Sequence, residues 1–393
     1  MKNYKGIKIE IKPTAEQIEK INRTIGTGRF LYNFYIAYNK EIYEKEKRFV
    51  TGFEFSKYIN NVFIKENPDK SWIKDVSSKS NKQAIMNSEK AFKRFFNKIS
   101  SFPKFKKKSH NNQKCYFFKN NKTDFEFYRH KIKIPTLKFV RLKEYGYIPK
   151  NTNIKSATIS KEGNRYFLSL ILEIKKEIEK NSIQKNLQTK EGIGIDLGIK
   201  DFAICSDGQV FKNINKTFKV RKIEKKLKRE QRKKSRKYLS CKKMEKNLYE
   251  CKNFQKQKLV IAKLFFRLNC IRNDYINKVI NMLTKTKLKF ITIEDLKVSN
   301  MMKNRHLSKA ISQQKFYEFR TKLLNKCKEK NIELRIVSTF YPSSKLCSNC
   351  GNKKQDLKLK DRIYKCCDCG LEIDRDYNAS LNLRNSTQYT ILT

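Results

Sequence analysis

Two cysteine pairs near the C-terminal end constrain the fold of this chain more than any other feature. Within KLCSNCGNKKQDLKLKDRIYKCCDCG, Cys347 and Cys350 form one CxxC pair, and Cys366 and Cys369 form another after fifteen intervening residues. Four thiolates at this spacing are typical of a zinc ribbon, in which tight knuckles present all four sulfurs to one tetrahedral ion. We therefore predict structural Zn²⁺ at these residues and expect Cys367 to lie outside the ligand set.

The charge of the chain indicates what it binds. Its 393 residues include 91 Lys and Arg against 38 Asp and Glu, a formal net charge of +53. A compact protein with this much self-repulsion needs a polyanion, and nucleic acid is the obvious one. Aromatic residues make up 12% of the chain, which argues against a disordered basic tail and supplies rings for stacking on bases.

The cysteines and the apolar segments indicate the cellular compartment. Eleven cysteines, scattered outside the two pairs and odd in number, favour a reducing compartment over a secreted disulfide protein. The N-terminal MKNYKGIKIEIK lacks the apolar core of a signal peptide, and apolar runs such as FLSLILEI are too short to span a bilayer. We expect a soluble cytoplasmic protein with no membrane partner.

The first half of the chain predicts a β-rich unit interrupted by helices. Residues 6–12 alternate apolar and polar side chains as a strand does, and Thr14 with Gln17 forms a capping-box signature at the start of a helix. Helical periodicity continues to about residue 100, and strand-like pieces follow to about residue 175. Because one strand is not stable alone, we expect it to join the later strands across the helices. The polar residues 176–190 are typical of a linker.

Two basic segments are candidate nucleic-acid contacts. The loop PKFKKKSHNNQKCYFF interleaves lysines with aromatic rings, and KVRKIEKKLKREQRKKSRK begins a helical stretch over residues 219–285 that has only a thin apolar stripe. Such a helix is either a solvated surface or a phosphate-binding one. We favour phosphate binding, because the acids described next would otherwise repel a polyanion. The predicted nucleic-acid-binding residues are Lys104, Lys106, Lys107, Lys108, Arg229, Arg232, Lys233 and Arg236.

Acidic residues occur at the ends of two predicted strands. In EGIGIDLG, strand alternation places Asp196 on the side of Gly194, facing a space cleared of bulk, and a hairpin turn is expected at residues 198–201. In LKFITIEDL, Glu294 ends a mostly apolar strand and Asp295 points to the opposite face. Each acid taken alone is more often a cap or a turn residue than a metal ligand.

A third acidic segment gives these two carboxylates a reason to converge. Phosphodiester cleavage assisted by two Mg²⁺ ions requires several carboxylates around ions roughly 3.5–4 Å apart. The segment DRDYNASLNL directly follows the second cysteine pair and offers Asp374 and Asp376 at the start of a short helix. A zinc ribbon at this place would hold the segment that delivers the last ligand.

The motifs together resemble the TnpB family of RNA-guided, transposon-encoded nucleases, which are related to the compact type V CRISPR effectors. The resemblance runs nearly end to end, through IKPTAEQIEKINRTIGTGRFLYN, PKFKKK, GIDLGIKDFAICSDG, IEDLKVSNM, YPSSKLCSNCG and YKCCDCGLEIDRDYNASLNL. It implies that Asp196, Glu294 and Asp376 are the catalytic, Mg²⁺-binding acids of a RuvC-like nuclease domain, with Asp374 as the alternative third acid.

The resemblance also implies a fold and a domain order. We expect a mixed α/β protein with an RNase H-like nuclease domain, an inserted zinc ribbon, and an N-terminal β-rich wedge domain that contains a helical recognition domain. The implied boundaries are 1–12 and 118–180 for the wedge, 13–117 for the recognition domain, 181–345 and 371–393 for the nuclease, and 346–370 for the ribbon.

Two positions depart from the family pattern. The family often has His where this chain has Phe265 and Asn277. Both lie in the helical stretch, so they concern guide binding or packing and not the acids.

The expected function is guide-RNA-directed cleavage of DNA with catalytic Mg²⁺, by a monomer bound to its guide RNA and to double-stranded and single-stranded DNA, at a prokaryotic nucleoid. Three alternatives remain open at this stage. A nuclease-inactive, RNA-guided repressor is disfavoured by the presence of all three acids. A transposition protein that works without RNA would lack copurifying small RNA. A plain zinc-ribbon RNA-binding protein leaves the spacing of the acids unexplained.

Overall fold

Residues 3–108, 113–118, 124–150, 152–174, 191–286, 288–358 and 361–392 are described by the computed structural model of this chain, and the linker expected at 176–190 lies outside them. The chain divides into two units, Met1–Asn181 and Ser182–Thr393, and each has its own hydrophobic core. Within the described ranges, every helix is too short or too polar to cross a membrane.

An antiparallel sheet of six strands forms the base of the first unit, in the order β2-β5-β6-β1-β4-β3. The elements of this unit are β1 (Asn3–Lys12), α1 (Ala15–Glu46), α2 (Gly52–Tyr58), α3 (Ile64–Glu66), α4 (Ser78–Phe96), β2 (Gln113–Phe118), β3 (Lys131–Ile134), β4 (Lys138–Leu142), β5 (Asn153–Glu162) and β6 (Arg165–Ile174). Strand β1 pairs with β6 along most of its length and with β4 at its end. The prediction that the first strand joins the later ones across the helices is therefore confirmed.

Strand β2 corrects the expected boundary at residue 118. That boundary grouped residues 113–117 with the helices, because the segment was interpreted as a basic loop. The segment instead pairs with β5 from Gln113 to Phe118. Cys115 and Phe117 are buried in the core of the sheet, so the side chains alternate as they do in a strand.

Helix α1 begins with the predicted capping box and is fastened to the sheet by the same residues. The Gln17 N–H donates to Thr14 Oγ1 at 3.3 Å, and Gln17 Oε1 accepts from the Thr14 N–H at 3.0 Å. The Gln17 side-chain amide also donates to the carbonyls of Leu137 and Phe139, both at 2.9 Å. One side chain thus satisfies a helix terminus and joins it to the loop and strand beneath.

A second, mixed sheet organises the C-terminal unit, in the order β14-β11-β10-β7-β8-β9. The elements are β7 (Ile193–Leu197), β8 (Asp201–Cys205), β9 (Val210–Lys212), α5 (Phe218–Lys243), α6 (Lys252–Leu283), β10 (Phe290–Glu294), α7 (Val298–Met301), α8 (Ser308–Gln314), α9 (Phe316–Lys330), β11 (Glu333–Val337), β12 (Ile363–Lys365), β13 (Glu372–Asp374), α10 (Arg375–Asn385) and β14 (Thr390–Ile391). Strands β7, β10 and β11 are parallel, whereas β8, β9 and β14 are antiparallel to their neighbours. The mixed α/β class is confirmed, as is the hairpin between β7 and β8.

The two faces of strand β7 pack against different helices. Ile193 and Ile195 contribute to a core that also contains residues of α6 and α9. The opposite face carries Gly194, and helix α10 covers it. A Cβ atom at Gly194 would lie 2.1 Å from the Ser380 carbonyl oxygen and 2.4 Å from the Arg384 nitrogen. The space that the sequence predicted beside Asp196 is therefore occupied, next to Gly194, by the backbone of a helix.

The basic stretch 219–285 folds as two helices, not as one continuous run. Helix α5 ends at Lys243 and α6 begins at Lys252. The thin apolar stripe predicted for α5, represented by Ile223 and Leu227, is buried against α6 residues such as Leu264. The stripe is enough to pair the two helices, and it leaves most of the α5 surface to charged side chains.

Replacing Gly194 by alanine tests the close approach of α10. We expect Gly194→Ala to destabilise the C-terminal unit by about 1–3 kcal/mol, because the added methyl group meets backbone atoms that cannot rotate away. For a unit of this size, the loss lowers the midpoint of thermal unfolding by roughly 2–12 °C. Gly6→Ala is the matched control, since Gly6 also lies within a strand and a Cβ atom there has nothing within 4 Å. Equal midpoints for wild type and Gly194→Ala would contradict the packing described.

Candidate metal centres

The four predicted cysteine ligands form a compact cluster. The sulfurs of Cys347, Cys350, Cys366 and Cys369 all lie within 4.8 Å of one another. The Cys347 and Cys369 sulfurs are 3.5 Å apart, and so are those of Cys350 and Cys366. A tetrahedral ion with Zn–S bonds of about 2.3 Å requires sulfurs about 3.8 Å apart, so the donor set and its dimensions fit Zn²⁺. Cys367 lies outside the cluster and is exposed, as predicted.

Two glycines close the knuckles that present these sulfurs. Gly351 and Gly370 follow the second cysteine of each pair and have φ angles of 77° and 71°. A residue with a side chain is strained in this left-handed region, whereas glycine is not. The Leu371 N–H donates to the Cys369 sulfur, and this bond, together with hydrogen bonds from the side chains of Asn349, Cys347 and Cys350, lowers the pKa of that thiol to about 6. The chain thus favours a thiolate at this ligand position.

The ribbon continues directly into the helix that carries the third acid. Asp374 is the last residue of β13 and also the N-cap of α10. Its Oδ1 accepts from the Asp376 and Tyr377 N–H groups, both at 3.0 Å. The Arg375 N–H donates at 2.8 Å to the carbonyl of Arg362, the residue just before β12. Asp374 is thus a structural cap in this arrangement, and Asp376 follows it in the first turn of the helix.

Asparagines on α10 fasten the helix to the first cysteine knuckle. The Asn378 side-chain amide donates to the Leu346 carbonyl at 2.6 Å, and its oxygen accepts from the Ser348 N–H at 3.0 Å. Asn382 donates to the Ser343 and Leu346 carbonyls at 2.7 and 2.8 Å. Both asparagine side chains are buried. The ribbon therefore contacts α10 through the first cysteine knuckle and through Arg362 before β12, which fixes the direction in which the first turn of the helix points.

Three elements bring the predicted acids to one end of the sheet. Strands β7 and β10 are parallel and pair Ile195 with Ile293, so the next residues, Asp196 and Glu294, are neighbours on one face. Helix α10 crosses the same face at Gly194 and carries Asp376 in its first turn.

The electrostatics of these acids reflect their proximity. Burial, together with the charges of Asp376 and Glu294, raises the pKa of Asp196 to about 7. Burial also raises the pKa of Glu294, with a smaller contribution from Asp295. A cation among these carboxylates would relieve both the repulsion and the loss of hydration.

Two arginines contact the carboxylate of Asp376, the third predicted acid. Asp376 Oδ1 accepts from Arg375 Nε and Nη2 at 3.2 and 3.1 Å, and Asp376 Oδ2 is 3.8 Å from Arg362 Nη1. Among the described residues, the cysteine cluster alone brings three or more metal-binding side chains within 4.8 Å of one another. The acids are therefore spaced more widely than the thiolates.

Asp295 is engaged elsewhere, as its position on the strand predicts. Its carboxylate binds the side chains of Lys297 and Arg320. The bond from Lys297 lowers the pKa of Asp295.

Sequence reasoning missed Arg362 and Arg375, because an arginine in so basic a chain gives no distinguishing signal. The sequence also gave no sign that the Thr292 hydroxyl is buried: its Oγ1 has no hydrogen-bond partner within the described part of the chain.

The predicted basic loop lines a cleft in the first unit. Lys104, Lys106 and Lys107 border a cavity of about 990 Å³, and Lys108 is exposed beside it. Asn33 fixes the loop by accepting from the Lys106 N–H at 2.8 Å and donating to its carbonyl at 3.0 Å. The Lys106 ammonium lies 3.5 Å from the centre of the Tyr32 ring, and burial lowers its pKa to about 8. Part of the Lys106 side chain therefore packs against Tyr32 and does not face solvent.

The second basic group lies on α5, in the other unit. Arg229, Arg232, Lys233 and Arg236 are all exposed, and their spacing places them along one side of the helix. Lys233 forms an ion pair with Glu230 at 3.0 Å. The two predicted basic groups thus belong to different units of the chain.

Removing one thiolate tests the zinc cluster. We expect one Zn²⁺ per wild-type chain and loss of most of it in Cys350→Ser, with lower thermal stability, because a closed four-thiolate site contributes folding energy. Elemental analysis of the purified proteins measures the ratio. Cys367→Ser is the matched control, being a neighbouring exposed cysteine outside the cluster. Equal zinc in wild type and Cys350→Ser would exclude the assignment.

Three family models match the chain. "Probable transposase", the OrfB family of IS605, matches residues 172–305. "Helix-turn-helix domain" of the same OrfB proteins matches residues 1–48, and "Cas12f1-like, TNB domain" matches residues 316–383. The last match covers the ribbon and the segment that carries Asp374 and Asp376.

Named relatives extend over nearly the whole chain. "Putative RNA-guided DNA endonuclease InsQ" of Escherichia coli K12 is 28% identical, over 98% of this chain and 92% of that protein. "Putative RNA-guided DNA endonuclease" of Streptomyces pristinaespiralis is 27% identical, over 96% of this chain and 88% of that protein. "CRISPR-associated endodeoxyribonuclease Cas12f1" of Sulfoacidibacillus thermotolerans is 29% identical, over 28% of this chain and 25% of that protein. These matches confirm the resemblance to the TnpB-like OrfB family that the motifs carry.

Proposed function

We propose that this chain is an RNA-guided DNA endonuclease that cleaves target DNA next to a short flanking motif. The observation that carries the proposal is the approach of Asp196, Glu294 and Asp376 from β7, β10 and α10 to one end of the sheet. Two relatives aligned over most of their length bear the name RNA-guided DNA endonuclease, which supports the same assignment.

Each acid has a role that follows from its surroundings. Asp196, whose pKa is raised to about 7 chiefly by burial, would hold Mg²⁺ together with Glu294 on the neighbouring strand. Asp376 completes the ligand set, and Arg362 and Arg375 balance its charge. Carboxylate oxygens are the ligands that Mg²⁺ prefers. When bound, Mg²⁺ activates a water molecule and stabilises the leaving oxygen of the phosphodiester.

The zinc ribbon has a positioning role in this proposal. It does not touch the reacting phosphate; it fixes the start of α10 through the Asp374 cap and the Asn378 and Asn382 bonds. This explains why a cysteine cluster directly precedes an acidic segment in the sequence.

The basic surfaces bind the nucleic acids. We assign phosphate contacts to α5, which belongs to the same unit as the acids, and we assign the Lys104–Lys108 loop with its cleft to the wedge and recognition domains. Base pairing between guide RNA and target supplies most of the sequence specificity, while the protein reads the flanking motif and the shape of the heteroduplex. The proposed protein acts as a monomer with its RNA, in the prokaryotic cytoplasm where its DNA target lies.

Substitution of the acids separates cutting from binding. We expect Asp196→Ala, Glu294→Ala and Asp376→Ala each to reduce cleavage at least about 100-fold while guided DNA binding changes less than about threefold, because ion-mediated chemistry is lost and phosphate contacts remain. Cleavage of a guide-matched, motif-flanked duplex with Mg²⁺ or Mn²⁺ and a gel shift on the same duplex give the two quantities.

Two charge-removing variants serve as controls. Asp295→Asn removes an acid beside Glu294 that is engaged by Lys297 and Arg320. Asp374→Asn removes a charge beside Asp376 but keeps a good N-cap. Both should retain measurable cleavage. Loss of cleavage in Asp374→Asn but not in Asp376→Ala would assign the third ligand to Asp374. A wild-type protein that binds but never cuts, across flanking motifs and metals, would make the protein a repressor.

The positive charge of α5 should make the affinity for guide RNA depend on salt concentration. Neutralising Arg229, Arg232, Lys233 and Arg236 to glutamine should weaken affinity for guide RNA and flatten the plot of log affinity against log salt, since each lost phosphate contact lowers the slope by about 0.7–0.9. Changing the three arginines to lysine is the control, because it keeps the charge. An unchanged slope in the neutral variant would identify this side of α5 as solvated surface.

A further inference from the structure

Two of the most exposed aromatic rings of the C-terminal unit belong to segments that adjoin Glu294. Phe340 has 93% of its surface exposed, the largest value among the exposed large apolar side chains of the described residues, and Tyr317 has 73%. Neither feature was anticipated from the sequence.

Tyr317 lies on the first turn of α9, beside the end of β10. It lines a small cavity together with Glu294 and Arg320. Its neighbour Phe316 is buried and stacks on Phe202, with ring centres 6.2 Å apart. Because α9 is anchored by Phe316, the adjacent Tyr317 ring is held outward at a fixed place.

Phe340 lies on the turn that follows β11. Val337, the last residue of β11, pairs with Glu294, and its carbonyl accepts from the Asp295 N–H at 2.8 Å. Three residues of chain reach at most about 11 Å, and neighbouring strands are about 4.8 Å apart, so the Phe340 Cα lies within about 16 Å of the Glu294 Cα. At a rise of about 3.4 Å, that distance corresponds to about five stacked nucleotides.

The turn around Phe340 is held by hydrogen bonds to the nuclease framework. The Phe340 N–H donates to Ser338 Oγ at 3.3 Å, and the Tyr341 N–H donates to the Ser338 carbonyl at 3.0 Å. The Tyr341 hydroxyl donates to the Asn382 carbonyl on α10 at 3.4 Å. The ring is therefore exposed on a backbone that is connected to the Asp376 helix.

We propose that Tyr317 and Phe340 form a stacking platform for bases of the single DNA strand that enters the acidic site. This inference rests on the proposed nuclease function and adds to it two substrate-binding residues. An exposed ring can stack on an apolar face, and a chain of net charge +53 favours partners whose apolar faces are flanked by anions. Unpaired nucleobases on a phosphate backbone meet both conditions, and stacking on an aromatic ring tolerates any base.

Short single-stranded DNA containing 2-aminopurine tests the platform without requiring cleavage. The protein is purified with its copurifying RNA in the Asp196→Ala background, so that no cutting occurs. We expect binding to quench the fluorescence of the probe, and we expect Tyr317→Ala and Phe340→Ala each to weaken its affinity about fivefold or more. Phe340→Trp and Tyr317→Phe should restore binding, whereas the apolar but non-aromatic Phe340→Leu should not.

The second measurement is the rate at which proteins that retain Asp196 cleave a series of target duplexes, each lacking one base. Removing one base near the cut in the target duplex should slow the wild type, and the same removal should have little further effect in the variant that lacks the matching ring. Unchanged zinc content and thermal stability exclude misfolding. Equal quenching and equal cleavage in wild type and both alanine variants would overturn the platform and leave the nuclease standing. Quenching that depends on the rings, in a protein that never cuts DNA, would support the platform and overturn the nuclease function.

Discussion

The structure of the C-terminal unit depends on the contact between the backbone of α10 and strand β7 at Gly194. The Ser380 carbonyl and the Arg384 nitrogen occupy the place where a side chain would lie. The Gly194 N–H donates to Ser206 Oγ at 3.0 Å, which holds the strand in position beneath the helix. Because a helix lies this close to the strand, the first turn of α10 reaches the end of β7, where Asp196 is found.

This arrangement brings three carboxylates together, which costs electrostatic free energy. Interactions of the ribbon and of α10 help to offset that cost. Three carboxylates approach one another, and the pKa of Asp196 rises to about 7 as a result of burial and of its acidic neighbours. The Asp374 cap, the Arg375 and Arg362 ion pairs and the buried Asn378 and Asn382 bonds act in the opposite direction. Binding of Zn²⁺ to a four-thiolate ribbon stabilises such a fold by roughly 10–16 kcal/mol, which exceeds the repulsion expected between a few partly hydrated acids. Zn²⁺ at the four cysteines would therefore stabilise the local geometry that the proposed Mg²⁺ site requires.

Local signals in the sequence predicted much of this arrangement. The Thr14 and Gln17 capping box, the β7–β8 hairpin and the cysteine cluster depend on residues close together in the chain, so their patterns are complete in the sequence. The alternation rule also separated Glu294 from Asp295 correctly, because Asp295 is ion-paired with Lys297 and Arg320. The strand β2 was missed because its lysine and aromatic rings follow a basic loop and resemble it, and only pairing with β5 reveals its alternation.

Features that depend on tertiary contacts could not be predicted from the sequence. Gly194 was correctly interpreted as clearing space, but the occupant, α10, lies nearly two hundred residues away in the chain. The ion pairs of Arg362 and Arg375 with Asp376 and the exposure of Phe340 likewise arise only when distant segments meet. Nothing in their composition distinguishes these residues from the many other cations and rings of the chain.

Binding of Mn²⁺ measured by electron paramagnetic resonance tests most directly whether β7, β10 and α10 build one divalent-metal site. The RNA-bound protein is titrated with Mn²⁺ while it holds a target duplex whose phosphorothioate linkages resist cleavage. The account predicts tight Mn²⁺ binding by the wild type, its loss in Asp376→Asn as well as in Asp196→Asn, and a marked weakening in Gly194→Ala, in which all three acids remain. Tight binding that survives in Asp376→Asn and Gly194→Ala would contradict the account, because it would show that the metal is held without α10.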